Sequence, residues 1–263
     1  MKKIFILAIP LATIPMCATC WSVASAQTLA TPAASATTAG KVKIPILIYH
    51  SVRPYYPGIT DLVKEYTVPP DMFDEQLKYL RDNGFTPVLP DDVVNHFTKG
   101  APLPPKPFMI TLDDGWGNQF RYAFPILEKY NDPAVFYVYT HAIGHKVFLS
   151  WHQVKKLQAA RMIIGGHTAS HPELPKVTDI ATLNEEIIRS KETTEAELGR
   201  TIGTFAYPFG EYNQQDINVV EQAGYSSART VAGCVYQSPN SLFTLCGVII
   251  TGDFNRFVAI VNR

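Results

Sequence analysis

Phe108-Met109-Ile110-Thr111-Leu112-Asp113-Asp114-Gly115-Trp116 opens as a mostly apolar run and ends in two adjacent carboxylates and a glycine. A short run of this kind, closed by a turn residue, predicts a strand buried on both faces, as in a parallel sheet covered by helices. In a continuing strand, neighbouring side chains point to opposite faces, but at the turn that Gly115 permits the two acids can converge. Carboxylates held close resist double ionisation unless a cation sits beside them, so a divalent metal is a natural partner. The competing reading is a helix start, where aspartates cap free N–H groups and complement the helix dipole.

Working outward, similar runs predict strands over residues 44–49, 85–89, 134–139, 162–164, 205–207 and 245–250. Between them, apolar residues recur at helical spacing over 72–83, 90–97, 120–130, 151–160, 183–198 and 214–222. Strand and helix alternate, which places the chain in the α/β class with a largely parallel sheet. Each polar cluster follows a strand, and in barrels of βα units such positions gather on one rim.

Gly165-Gly166-His167-Thr168-Ala169-Ser170-His171 offers two imidazoles four residues apart. On a helical turn that spacing sets both on one face, where they can share a metal. One aspartate and two histidines make a three-ligand set with open positions, and the remaining carboxylate is free to act as general base. His141 and His145 form a second pair, weaker because Gly144 disfavours a helical turn there and no acid lies near.

Four segments, Ile48-Tyr49-His50-Ser51, Thr111 to Gly115, His167 to His171 and Tyr207-Pro208-Phe209-Gly210, resemble in order the motifs of the polysaccharide deacetylases, carbohydrate esterase family four. The resemblance runs from about Ile44 to the C-terminus. It implies a distorted (β/α) barrel of seven strands, with Asp113 as catalytic base and Asp114, His167 and His171 as ligands of a metal, usually zinc. Cobalt, nickel and iron suit the same donors. The resemblance further implies that the backbone N–H of Phe209 faces the developing oxyanion. The sequence departs from the family at two points. Ala206 stands where many members carry an arginine that orients the base, and Leu245 is followed by Cys246 and Gly247 rather than by a late histidine acid. His50 resembles the early histidine of members acting on poly-N-acetylglucosamine, and is the candidate for that acid. Trp116, Trp151 and Tyr207 are candidate sugar-packing aromatics, with core packing as the alternative.

The first 26 residues read as a secretory signal peptide, with Lys2 and Lys3, an apolar run broken by Pro10 and Pro15, then Ala24-Ser25-Ala26. Residues 27–43 read as an Ala/Thr/Pro-rich linker and 44–263 as the catalytic domain. The expectation is an exported, periplasmic or extracellular protein with no transmembrane span once processed. Cys234 and Cys246 would then meet an oxidising compartment, as a disulfide or as two free thiols. With 23 basic and 23 acidic side chains, nothing points to nucleic acid. The expected substrate is an N-acetylated polysaccharide, and oligomeric state is left open. Rival readings are a non-catalytic glycan-binding member, suggested by the two departures, and an O-acetyl polysaccharide esterase. No Gly-x-Ser-x-Gly or His-Glu-x-x-His occurs, which disfavours serine esterases and zinc peptidases.

Overall fold

Seven short parallel strands lie side by side in chain order in the computed structural model, which describes residues 40–263. They are β1 (Ile46–Tyr49), β2 (Pro107–Leu112), β3 (Val135–Val138), β4 (Ile163–Gly166), β5 (Thr204–Ala206), β6 (Ser227–Thr230) and β7 (Leu245–Ile249). β7 pairs with β1, so the sheet closes into a barrel. The ring is distorted at β4 and β5, which share the single pair Gly166 and Phe205. This is the seven-stranded (β/α) barrel that the resemblance implied. The expected strand over 85–89 shrinks to Thr86–Pro87, which pairs with the start of β2.

Among the described residues, seven helices of seven residues or more accompany the strands: α1 (Pro70–Asp82), α2 (Pro90–Lys99), α3 (Phe124–Tyr130), α4 (Trp151–Ala159), α5 (Ser190–Leu198), α6 (Gln214–Gln222) and α7 (Phe254–Asn262). Their ends are set locally. Ser150 with Gln153 and Asn213 with Asp216 form capping boxes that open α4 and α6. Gly100 closes α2 in the left-handed conformation. α5 is the last part of a longer helical run that starts at Ile180–Asn184 and passes through one wide turn, Glu185–Arg189.

Side chains along the strands alternate between two cores, as the period of two requires. Leu47, Tyr49, Ile110, Leu112, Phe136, Val138 and Phe205 belong to the large cluster that includes the helices' apolar faces. Ile46, Met109, Val135, Tyr137, Ala206 and Leu245 belong to a separate, smaller cluster within the ring. Val42–Lys43, expected in the linker, instead pairs antiparallel with Tyr236–Gln237, and the Ile44 N–H bonds to the Val235 carbonyl at 2.8 Å. Cys234 and Cys246 are disulfide-bonded, with their Cα atoms 5.6 Å apart. The signal-peptide reading, and the linker reading up to residue 39, lie outside the described residues. Among the described residues, no helix is long and apolar enough to cross a membrane.

Candidate active site

The turn after β2 brings the two aspartates together. Asp114 and Gly115 both take left-handed backbone angles, with φ of 73° and 71°. That reverses the chain directly after Asp113, whose N–H still bonds to the Tyr49 carbonyl as a continuation of β2. A left-handed aspartate is strained, and such strain persists only where surrounding contacts enforce it. One enforcing contact is the Trp116 indole N–H, which donates to Asp114 Oδ2 at 2.9 Å. The Gln119 side-chain amide donates to the carbonyls of both Asp113 and His50, tying the ends of β2 and β1 together.

His167 and His171 reach the same place by a route the sequence reading did not foresee. The segment after β4 is a loop and not a helical turn, with Thr168 and His171 left-handed at φ of 70° and 64°. Thr168 Oγ1 accepts the His171 N–H at 2.9 Å and closes the loop. The His167 and His171 Nε2 atoms lie 3.5 and 3.4 Å from Asp114 Oδ1. Those separations are long for hydrogen bonds. They match the spacing of about 3.4 Å expected between ligands that each sit about 2.1 Å from one tetrahedral ion. His167 Nδ1 faces the Ala206 carbonyl at 2.6 Å, which directs Nε2 toward Asp114. Burial pushes the Asp114 carboxyl upward, but the two facing imidazoles outweigh it and hold the group well below the usual carboxylate range. An ionised carboxylate and two imidazoles with ligand atoms within 4.8 Å of one another fit a borderline divalent cation such as zinc.

Asp113 has a partner that the sequence reading missed. Arg229 Nη2 lies 2.5 Å from Asp113 Oδ2, and both residues are almost fully buried. Arg229 is the registered partner of Ala206 on the neighbouring strand. The guanidinium missing at 206 is thus supplied from one strand over. Its guanidinium lies over the Tyr137 ring, and its stem passes beside Gly247, where an added Cβ would lie 3.0 Å from Arg229 Cδ. The available signal was an arginine among small residues, Ser227-Ala228-Arg229-Thr230, where the βα alternation calls for a strand after α6. Asp113 Oδ1, by contrast, is buried with no hydrogen-bond partner.

These groups line a cleft of about 710 Å³ together with His50, Trp116, Tyr207 and Phe209. Arg53, Tyr56, Leu62 and Tyr66, from the segment between β1 and α1, add to its lining. His50 directly follows β1, with its ring edge-on to Tyr66 and its Nδ1 buried and unpartnered. Burial lowers the His50 pKa, against the pull of the Asp113 and Asp114 charges. Phe209 is left-handed at φ 60° and 59% exposed, with its ring 4.7 Å from that of His171. Gly210 follows because an added Cβ would strike the Val231 backbone nitrogen at 2.6 Å. Trp151 is not among the residues lining the cleft; it opens α4 and packs against the large core. His141 and His145 lie in turns after β3, likewise outside the cleft lining.

Residues 100–228 match the family model for polysaccharide deacetylase. YxkH of Bacillus subtilis, a protein named for the same family, is 29% identical over 188 residues; the match covers 72% of this chain and 64% of that protein. The poly-β-1,6-N-acetyl-D-glucosamine N-deacetylase of Staphylococcus aureus is 25% identical over 199 residues, 68% of each chain. The structure of the Streptococcus pyogenes deacetylase PplD in complex with acetate superimposes with a TM-score of 0.77 at 27% identity, covering 84% of this chain and 99% of that one. With the closed barrel and the clustered motifs, these matches identify a polysaccharide deacetylase domain in this chain.

Proposed function

We propose that this protein is a metal-dependent deacetylase that removes N-acetyl groups from an N-acetylglucosamine-containing polysaccharide, either an exopolysaccharide or a cell-wall glycan. One observation carries the reading. A buried carboxylate oxygen with no partner, Asp113 Oδ1, belongs to the residue next to a three-ligand cation site in an open cleft.

Asp114, His167 and His171 would hold the cation. Bound there, a divalent ion lowers the pKa of water and polarises the amide carbonyl. Asp113 draws the proton from the attacking water through Oδ1, which has no other partner, while Arg229 holds Oδ2. The Phe209 N–H is the assigned donor to the developing oxyanion, a contribution worth about 3 kcal/mol where such donors are preorganised. The C–N bond then breaks, leaving acetate and a free amine. His50 is the group at hand to protonate that amine. The proton it would deliver is the one that Asp113 took from the water, and because burial lowers the His50 pKa a proton held there is given up readily.

The staphylococcal relative's named substrate supports the choice of polymer. The glycan-binding alternative drew on the two departures from the family pattern, and Arg229 and His50 offer a counterpart for each missing group. We assign residues 1–26 to export, which would place the protein in the periplasm or outside the cell. The test is acetate release from poly-N-acetylglucosamine, peptidoglycan, chitin oligomers and acetyl xylan, with and without a chelator. Release from an N-acetylated glycan that stops on chelation and returns with zinc is expected. Release from acetyl xylan alone would favour the O-acetyl esterase, and no release from any glycan would favour the binding module. In the same assay His50→Ala is expected to lower kcat, and unchanged turnover would remove the acid role.

A further inference from the structure

The loop of the cation site has one hydrogen bond of its own, from the His171 N–H to Thr168 Oγ1, and is otherwise held from outside. Two of the five residues from His167 to His171 are non-glycine residues in the left-handed region, each costing about 1–3 kcal/mol unless enforced. From one side the loop is held by backbone alone, as the Thr140 and His141 N–H groups donate to the Thr168 and Ala169 carbonyls at 3.2 and 2.9 Å. From the other side it is held by one side chain. Glu186 Oε2 accepts the N–H groups of Ala169 at 3.0 Å and Ser170 at 2.8 Å, and Oε1 accepts the Ser170 hydroxyl at 2.6 Å. Glu186 is only 8% exposed, and among the described residues every donor to its carboxylate comes from this loop. A buried carboxylate is costly to maintain, and three donors in one short segment are what make it tolerable there.

Glu186 sits in the one wide turn of its helical run, Glu185–Arg189. That turn is itself closed by a side chain, since Ser190 Oγ donates to the carbonyls of Glu186 and Ile187 at 2.6 and 3.1 Å. Wide turns inside α-helices occur frequently at functional sites. Here the turn carries Glu186 against the ligand loop while the rest of the run packs on the barrel.

We propose that Glu186 is a positioning residue for the cation, holding the loop so that His167 and His171 present their Nε2 atoms to Asp114 before any ion arrives. The inference rests on the metal-dependent reading above and adds to it a determinant of affinity outside the ligands. A merely structural glutamate would affect unfolding but not the cation affinity of the folded chain. The measurement is zinc affinity of the whole purified protein by competition with a chromogenic chelator, alongside unfolding of the cation-free form. Glu186→Ala is expected to bind zinc about 10- to 100-fold more weakly, the range found for groups that orient metal ligands. Glu186→Gln keeps an acceptor for the two amides and should fall between Glu186→Ala and the wild type. Ser170→Ala removes one of the three bonds and should lose less than Glu186→Ala. Wild-type affinity in folded Glu186→Ala would overturn the proposal; should that variant fail to fold, wild-type affinity in Glu186→Gln would do so. A wild-type protein that binds no zinc would overturn the functional reading along with this one, whereas unaffected variants overturn this one alone.

Discussion

Arg229 and Asp113 set a full positive charge against a full negative one inside the barrel, 116 positions apart in sequence. Removing one member of such a pair strands the other in a place water does not reach, at a cost of about 3–5 kcal/mol. Arg229→Met is therefore expected to lose stability of that order in urea unfolding and to lower kcat roughly 100-fold, as the base loses its orientation. Arg229→Lys should recover little, because a single ammonium does not reproduce a planar guanidinium held over Tyr137. Because Ala206 is the registered neighbour of Arg229, Ala206→Arg in an Arg229→Ala background should return part of the lost activity. If that double variant is no better than Arg229→Ala, the two positions are not interchangeable sources of the same charge. The aspartates and histidines were legible because acids and imidazoles stand out at strand ends. Arg229 was not, because nothing in sequence spacing reveals which strand lies beside which.

At the scale of elements, the missed strand and the missed arginine are one event. β6 reads Ser-Ala-Arg-Thr, and its only large side chain is charged, so no apolar period announces a strand that is nonetheless buried throughout. Its room is made by β7, where Gly247 leaves space for Arg229 and Ile48. A methyl group at 247 would meet Ile48 Cδ1 at 2.5 Å and Arg229 Cδ at 3.0 Å. Gly247→Ala is expected to cost about 1–3 kcal/mol in urea unfolding and to reduce acetate release by displacing the guanidinium. Ile48→Val in the same chain, which deletes the nearer methyl, should restore stability more fully than activity; recovery of neither would mean that the crowding lies elsewhere. Other elements were plain in the sequence. The apolar strands and helices fall within a few residues of their expected positions, because period two and period 3.6 survive burial. Phe254, Phe257, Ile260 and Val261 also carry a helical period behind the Asp253 cap, so α7 was legible and was passed over. The loop carrying His167 and His171 was misread for the opposite reason. A spacing of four fits a helix, while the left-handed residues that refute it have no sequence signature outside glycine and asparagine.

Across the whole molecule, the Cys234 and Cys246 bond spans a separation of 12 and clamps the connection between β6 and β7, from which Val231 reaches the cleft. Loops of this size give a stabilisation of about 3 kcal/mol when cross-linked. Cys234→Ser with Cys246→Ala should lower unfolding stability by roughly that amount and make the oxidised and reduced proteins indistinguishable in urea; an unchanged midpoint would show that the bond constrains little. The closed ring also has a consequence in time. Its last strand must dock beside its first before the circle is complete, and the guanidinium that steadies Asp113 arrives on the strand just before that. A growing chain therefore has the strand ends that bear Asp114, His167 and His171 in hand before the arginine for Asp113 exists at all, and the acid's partner is the last of these groups to be made.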